Sequence, residues 1–221
     1  MSVRVLLVDD DPLVCRGLEL LLSSDATLSV VGTVHDGDAV IDAVHRHFPD
    51  VILMDVRMER QDGITTTASL AALPQPPKVI VLTTFDHDDI LMRALDAGAA
   101  GFLLKTASPH EIIAAVHNVA SGEGALSPRS ARQVVEHLQR DDLGTARRSA
   151  RDLMARLTPR ELDVVRRVAA GQSNPQIAAA LFLGEATVKS HLASAQGKLG
   201  ARNRVQVGVL VAQAGLLDPE Q

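Results

Sequence analysis

The chain has 221 residues, of which 46% are apolar and 22% charged, with a net charge of −5. That balance excludes wholesale disorder and leaves ample material for a core, and the length allows one or two domains. No apolar run approaches the ~18 residues of a membrane span. The opening MSVRVLLVDD has no signal-peptide layout. Cys15 is the single cysteine, so an internal disulfide is excluded and a reducing cytoplasm is the expected setting. With no Trp, no Tyr and four Phe, stacking on unpaired bases is an unfavoured binding mode.

Charge is unevenly spread. Residues 1–120 carry 8 basic and 17 acidic side chains, whereas residues 156–221 carry 8 and 5. An acidic half joined to a mildly basic one predicts two domains, the second a candidate for a polyanion partner.

In chain order, β-rich apolar runs occur at Val3–Val8, Leu28–Val34, Val51–Met54, Val79–Leu82 and Gly101–Leu104. Near-continuous apolar runs of this kind are the pattern of parallel strands buried on both faces. Helical stretches lie between them. Asp11-Pro12 supplies an N-cap and a first-turn proline to the first helix. Asp36 is expected to start the second. Ser108-Pro109-His110-Glu111 is a capping box. The alternation predicts a doubly wound, five-stranded parallel α/β sheet over residues 1–120, flavodoxin-like in layout.

Residues 121–155 change character. Ser121-Gly-Glu-Gly124 is a break, Ser127-Pro128 can start a short helix to about Leu138, and Arg140–Ser149 is polar without an apolar helical face. This stretch reads as a linker, partly helical and partly mobile. Residues 156–221 then read as a smaller all-α, four-helix domain. Thr158-Pro159-Arg160-Glu161 is a capping box, Gly171 ends the first helix, and Asn174-Pro175 restarts the chain. Leu183-Gly184 turns it into a helix over Glu185–Leu199, and a fourth helix runs from about Asn203 to Ala214. Short helices around a tight turn are the helix-turn-helix arrangement.

Ligands of open parallel sheets sit beyond the carboxyl ends of the strands. Those ends hold Asp9-Asp10, Asp55, Thr83 and Lys105. Converging carboxylates need a cation among them, and hard oxygen ligands suit Mg²⁺. With Lys105 as a positive charge and Thr83 as a hydroxyl donor, the set can stabilise a phosphoryl group on a nucleophilic aspartate. Asp11 is assigned to the helix cap.

Val8-Asp9-Asp10, Leu53–Met58, Asp62-Gly63, Leu82-Thr83-Thr84 and Gly101–Lys105 resemble the receiver domain of bacterial response regulators. The resemblance implies that Asp55 accepts a phosphoryl group from a sensor histidine kinase. It implies that Asp9, Asp10, Asp55 and the backbone carbonyl of Arg57 surround Mg²⁺, and that Thr83 and Phe102 form a switch pair. One departure stands out: Glu59 occupies a position where such receivers usually have proline.

Leu157–Leu162, Ala170–Ala178, Ala186–His191 and Lys198–Gly200 look like the LuxR/NarL-type DNA-binding domain. Burial of Val188, Leu192, Ala195 and Leu199 turns Lys189, Ser190 and Ala193 outward, where base edges are reached in the major groove. Thr187, Lys198, Arg202 and the amides near Asn174 are candidate phosphate contacts. His191 reads equally as a phosphate contact or a half-buried structural residue. Gly184 stands at a helix start where the family has serine, and Ala193-Ser194 are small and neutral, which implies modest affinity. The resulting expectation is a transcription factor that accepts phosphate on Asp55 and dimerises on double-stranded DNA, with no membrane partner. The alternatives are a phosphorylation-independent dimer using its receiver as a scaffold, and a small α/β phosphotransferase or phosphatase.

Overall fold

The computed structural model describes residues 2–84, 88–127, 130, 133–134 and 143–216. They fall into two compact units, divided after Ser130.

In the first unit the strands are β1 (Val3–Val8), β2 (Leu28–Val34), β3 (Val51–Asp55), β4 (Lys78–Thr83), β5 (Gly101–Leu104) and β6 (Ala125–Leu126). They pair in the order β2-β1-β3-β4-β5-β6, every pair parallel. The helices are α1 (Pro12–Leu22), α2 (Val40–His47), α3 (Gly63–Leu70), α4 (Asp88–Ala97) and α5 (Pro109–Ser121). The expected doubly wound sheet is present, with one more strand than the pattern announces. Gly122, at φ 92, closes α5 in the left-handed region and turns the chain back to the sheet edge. There Ala125 and Leu126 pair with Gly101 and Phe102. A two-residue strand has too few positions to print a periodicity in the sequence.

β3 is buried throughout, and the last four residues of β1 are buried as well. Leu7, Leu53, Ile80 and Leu103 pack with Cys15, Leu18 and Leu22 of α1 and with Ile112, Val116 and Val119 of α5. This core holds the carboxyl ends of β1, β3, β4 and β5 side by side.

The second unit contains α6 (Leu143–Met154), α7 (Pro159–Ala169), α8 (Asn174–Leu181), α9 (Glu185–Leu199) and α10 (Arg204–Ala214). The four expected helices are there, and α6 joins them. The stretch read as a linker is thus shared out: residues 121–127 finish the first unit, and residues 143–154 build the second. Ala150 and Met154 are buried against Val164, Val165, Val207 and Val211, with Leu153 beside them. Arg151 Nε donates to the carbonyl of Ala214 at 3.1 Å. The apolar stripe 150/153/154 is short and set among arginines, so the polar character of 140–149 hid it. Most of the short helix expected from Ser127-Pro128 to Leu138 lies outside the described residues.

Met154 tests the assignment of α6 to the second core. Met154→Ala is expected to cost about 2–5 kcal/mol, the range for truncating a buried methionine. Denaturant unfolding followed by circular dichroism measures it. A change below ~0.5 kcal/mol would mean that α6 is not part of that core.

Candidate functional sites

Packing of β1 carries Asp9 to the rim of the sheet, where its amide donates to the Val34 carbonyl at 3.1 Å. Asp9 is 1% exposed and Asp55, at the end of β3, 6%; Asp10 is exposed. One carboxylate oxygen from each of Asp9, Asp10 and Asp55 lies within 4.8 Å of the others. Asp11 turns away and accepts from Leu13 N at 2.8 Å as the cap of α1. Lys105 follows β5, its amide bonded to the Thr83 carbonyl at 2.7 Å. Its ammonium lies 2.6 Å from Asp9 Oδ2 and 3.1 Å from Asp55 Oδ1.

Burial pushes the Asp55 carboxyl above its ordinary range. The Lys105 charge and hydrogen bond oppose that rise without cancelling it, and Asp9 adds to it. Burial acts to lower Lys105, but its bonds to Asp9 and Asp55 outweigh it and hold the ammonium above its usual value. The site is therefore a desolvated pair of carboxylates that share one cation. Three hard carboxylates at this spacing fit a divalent cation with oxygen coordination.

Thr83 and Phe102 are both buried. Phe102 pairs with Val81 and Leu104 with Thr83, so strand alternation puts Thr83 and Phe102 on one face. Arg57 lies in the connection from β3 to α3, and Glu59 there is exposed. Among the described residues the clustered carboxylates are Asp9, Asp10 and Asp55; Glu59 is not one of them. Asp36 stands at the start of the second helical stretch, at the N-cap position of a 3-10 turn over Gly37–Ala39 that runs into α2, but its side chain makes no cap bond. Its buried carboxylate instead accepts from Arg60 N at 2.9 Å and Gln61 N at 3.0 Å. This pairing crosses 24 residues and leaves no local sequence signal.

In the second unit, Val188, Leu192, Ala195 and Leu199 are the buried face of α9. Thr187, Lys189, Ser190 and Ala193 are exposed, as is Arg202 beyond its end, and His191 is half-buried. Lys198, a candidate phosphate contact, is half-buried and paired within the domain. Its ammonium is held 2.9 and 2.6 Å from the two carboxylate oxygens of Glu161. Ser194 Oγ donates to the same carboxylate at 2.6 Å, and the Thr158 amide at 2.7 Å. Glu161 was readable as half of a capping box; its second task, fastening α9 to α7, was not. Arg204 was also missed. It is buried, donates to Asn174 Oδ1 at 2.8 Å and reaches the Gln172 carbonyl, fastening α10 to the start of α8. The Asn174 side chain is thereby committed within the domain.

A receiver-type acidic rim and a helix-turn-helix unit define a class: regulators that couple a phosphoacceptor domain to DNA binding. Residues 5–117 match the response regulator receiver domain family, and residues 155–211 match the luxR family of bacterial regulatory proteins. The chain is 36% identical over 217 residues to the probable transcriptional regulatory protein NarL of Mycobacterium tuberculosis, covering 98% of this chain and 97% of that protein. It is 34% identical to the uncharacterized transcriptional regulatory protein YxjL of Bacillus subtilis, covering 98% of each. Among solved structures, the response regulator ChrA of a heme-sensing two-component system matches at TM-score 0.53 and 34% identity, over 98% of this chain and 99% of that one. A structure of two RcsB dimers bound to two parallel DNAs matches at TM-score 0.57 and 25% identity, over 96% and 99%. The chain belongs to the NarL/LuxR-type response regulators, transcription factors with a receiver and a DNA-binding domain.

The Glu161 lock has a pH signature. Hydrogen bonds from Lys198, then Ser194 and the Thr158 amide, hold its carboxyl at about 2, against an ordinary 4.5. A depressed carboxylate contributes stability that is complete above its unfolded value and lost as pH falls through the folded one. Parent stability is therefore expected to drop between about pH 4.5 and about pH 2. Glu161→Gln should lower the thermal midpoint at neutral pH and flatten the curve across that window. Parallel curves for the two proteins would show that Glu161 carries no such stabilisation.

Proposed function

We propose that Asp55 is the phosphoacceptor, taking a phosphoryl group from the phosphohistidine of a sensor histidine kinase. The phosphorus–nitrogen bond breaks as a bond forms from an Asp55 carboxylate oxygen, leaving an aspartyl phosphate. The observation that carries this reading is the Lys105 ammonium set 2.6 Å from Asp9 and 3.1 Å from Asp55. A charge preplaced there costs no reorganisation when phosphoryl oxygens arrive. Asp9, Asp10, Asp55 and the Arg57 carbonyl would hold Mg²⁺, which when bound neutralises phosphoryl oxygens as a Lewis acid. The same residues would also let the protein take phosphate from small donors and later release it.

Thr83 supplies a hydroxyl to the modified aspartate, and its movement changes the packing around Phe102. Such a change shifts a population of two receiver conformations. The protein would act as a homodimer on double-stranded DNA, because one domain of low positive charge has limited affinity for it. Lys189 and Ser190 would read base edges, with Ala193 beside them, while Thr187, Arg202 and His191 face the backbone. Lys198 then acts by holding α9 in place. No helix among the described residues is long and apolar enough to cross a membrane, which agrees with work in the cytoplasm.

Incubation with Mg²⁺ and a small phosphodonor should add one phosphoryl group to the parent by intact mass. Asp55→Asn should add none, and an adduct that survives in it would move the acceptor elsewhere.

On DNA, Lys189→Ala should cost about 1–3 kcal/mol on a selected site and reduce discrimination against a scrambled duplex. Binding isotherms over a salt series decide this. Equal weakening on both duplexes with a shallower salt slope would make Lys189 a backbone contact.

A further inference from the structure

Two consecutive residues at the end of β2 hold the segments that flank the acidic rim. His35 Nδ1 lies 3.0 Å from the Asp9 carbonyl oxygen, so the tautomer protonated there donates to the peptide that carries Asp9. Asp36, 4% exposed, gives one carboxylate oxygen to Arg60 N and the other to Gln61 N, at 2.9 and 3.0 Å. Those amides sit at the tip of residues 56–62, the connection that carries Arg57.

This connection is closed at its neck as well. Gly63 N donates to the Val56 carbonyl at 2.9 Å, and a Cβ on Gly63 would overlap the Asp55 carbonyl. The tip is equally tight: a Cβ on Gly37 would strike Thr66 Oγ1 and the Gln61 carbonyl. A buried carboxylate is costly unless its charge is compensated. Here two backbone amides of one loop compensate it, and the Arg60 guanidinium adds an ion pair at 3.5 Å. Asp36 is thus bonded to the very loop whose carbonyl is assigned to the metal, while its neighbour is bonded to the peptide of a metal carboxylate.

We propose that the His35-Asp36 turn is a positioning element of the Mg²⁺ site, with Asp36 setting where the Arg57 carbonyl stands relative to Asp9 and Asp55. The inference rests on the Mg²⁺ reading above and adds residues that touch neither metal nor phosphoryl group. Groups that orient metal ligands from behind typically cost ten- to a hundredfold in affinity when removed.

The experiment uses the full chain and MgCl₂ alone, followed by calorimetry, with thermal melts on the same samples. Asp36→Ala should weaken Mg²⁺ by about tenfold or more. Phosphoryl adduct formation should shift to higher Mg²⁺ by the same factor and return to the parent extent at saturation. Asp38→Ala, which removes only the exposed 3.1 Å pair with Arg60, should leave Mg²⁺ affinity unchanged. If Asp36→Ala does not fold, Asp36→Asn keeps the shape of the side chain and removes one of its two amide-accepting oxygens, and should show a shift in the same direction. Unchanged Mg²⁺ affinity in a folded Asp36→Ala or, failing that, in Asp36→Asn overturns the inference while leaving the metal site standing. A parent that takes up no Mg²⁺ overturns the metal reading, and this inference with it.

Discussion

Everything at the receiver rim depends on one electrostatic constraint. The parallel sheet brings Asp9 and Asp55 together, both nearly buried, and like charges out of water repel strongly. Lys105 answers that repulsion from the next strand but one, within 3.1 Å of both. A single ammonium leaves the cluster short of positive charge, since Asp10 adds a third carboxylate. That deficit is the electrostatic condition under which a divalent cation with oxygen coordination fits the cluster. The site's chemistry is thus a consequence of how many charges the fold has buried and how few it has paired.

A second carboxylate organises the other unit on the same principle. Glu161 binds its own helix cap through the Thr158 amide and α9 through Ser194 and Lys198. One buried side chain therefore ties helix start to helix face. With Lys198 paired to Glu161, Lys189 is the other lysine of α9 and lies on its outward face.

Most of the receiver was legible because its strands are buried on both faces and its site residues stand at strand ends. Asp9, Asp10, Asp55, Thr83 and Lys105 could be picked out by position before any distance was known. Asp11 was equally readable, since a carboxylate before a proline and an apolar run has a local job. α9 and its buried face were legible from the spacing of Val188, Leu192, Ala195 and Leu199. What stayed hidden had no local pattern. Asp36 looked like a helix start and holds a loop 24 residues away; Arg204 reaches Asn174 across 30; β6 is too short to have a period.

The sequence by itself determined the two-unit plan, the parallel sheet and the identity of the acidic rim, because burial and capping act between near neighbours in the chain. Only the tertiary structure decided which charges are committed and which are offered. Lys105 and Lys198 are both lysines near a strand or helix end, and nothing local separates them. One is placed between carboxylates at an open rim, the other against a carboxylate within its own domain. That difference is made by long-range packing, which brings Asp9 and Asp55 to the first and Glu161 to the second.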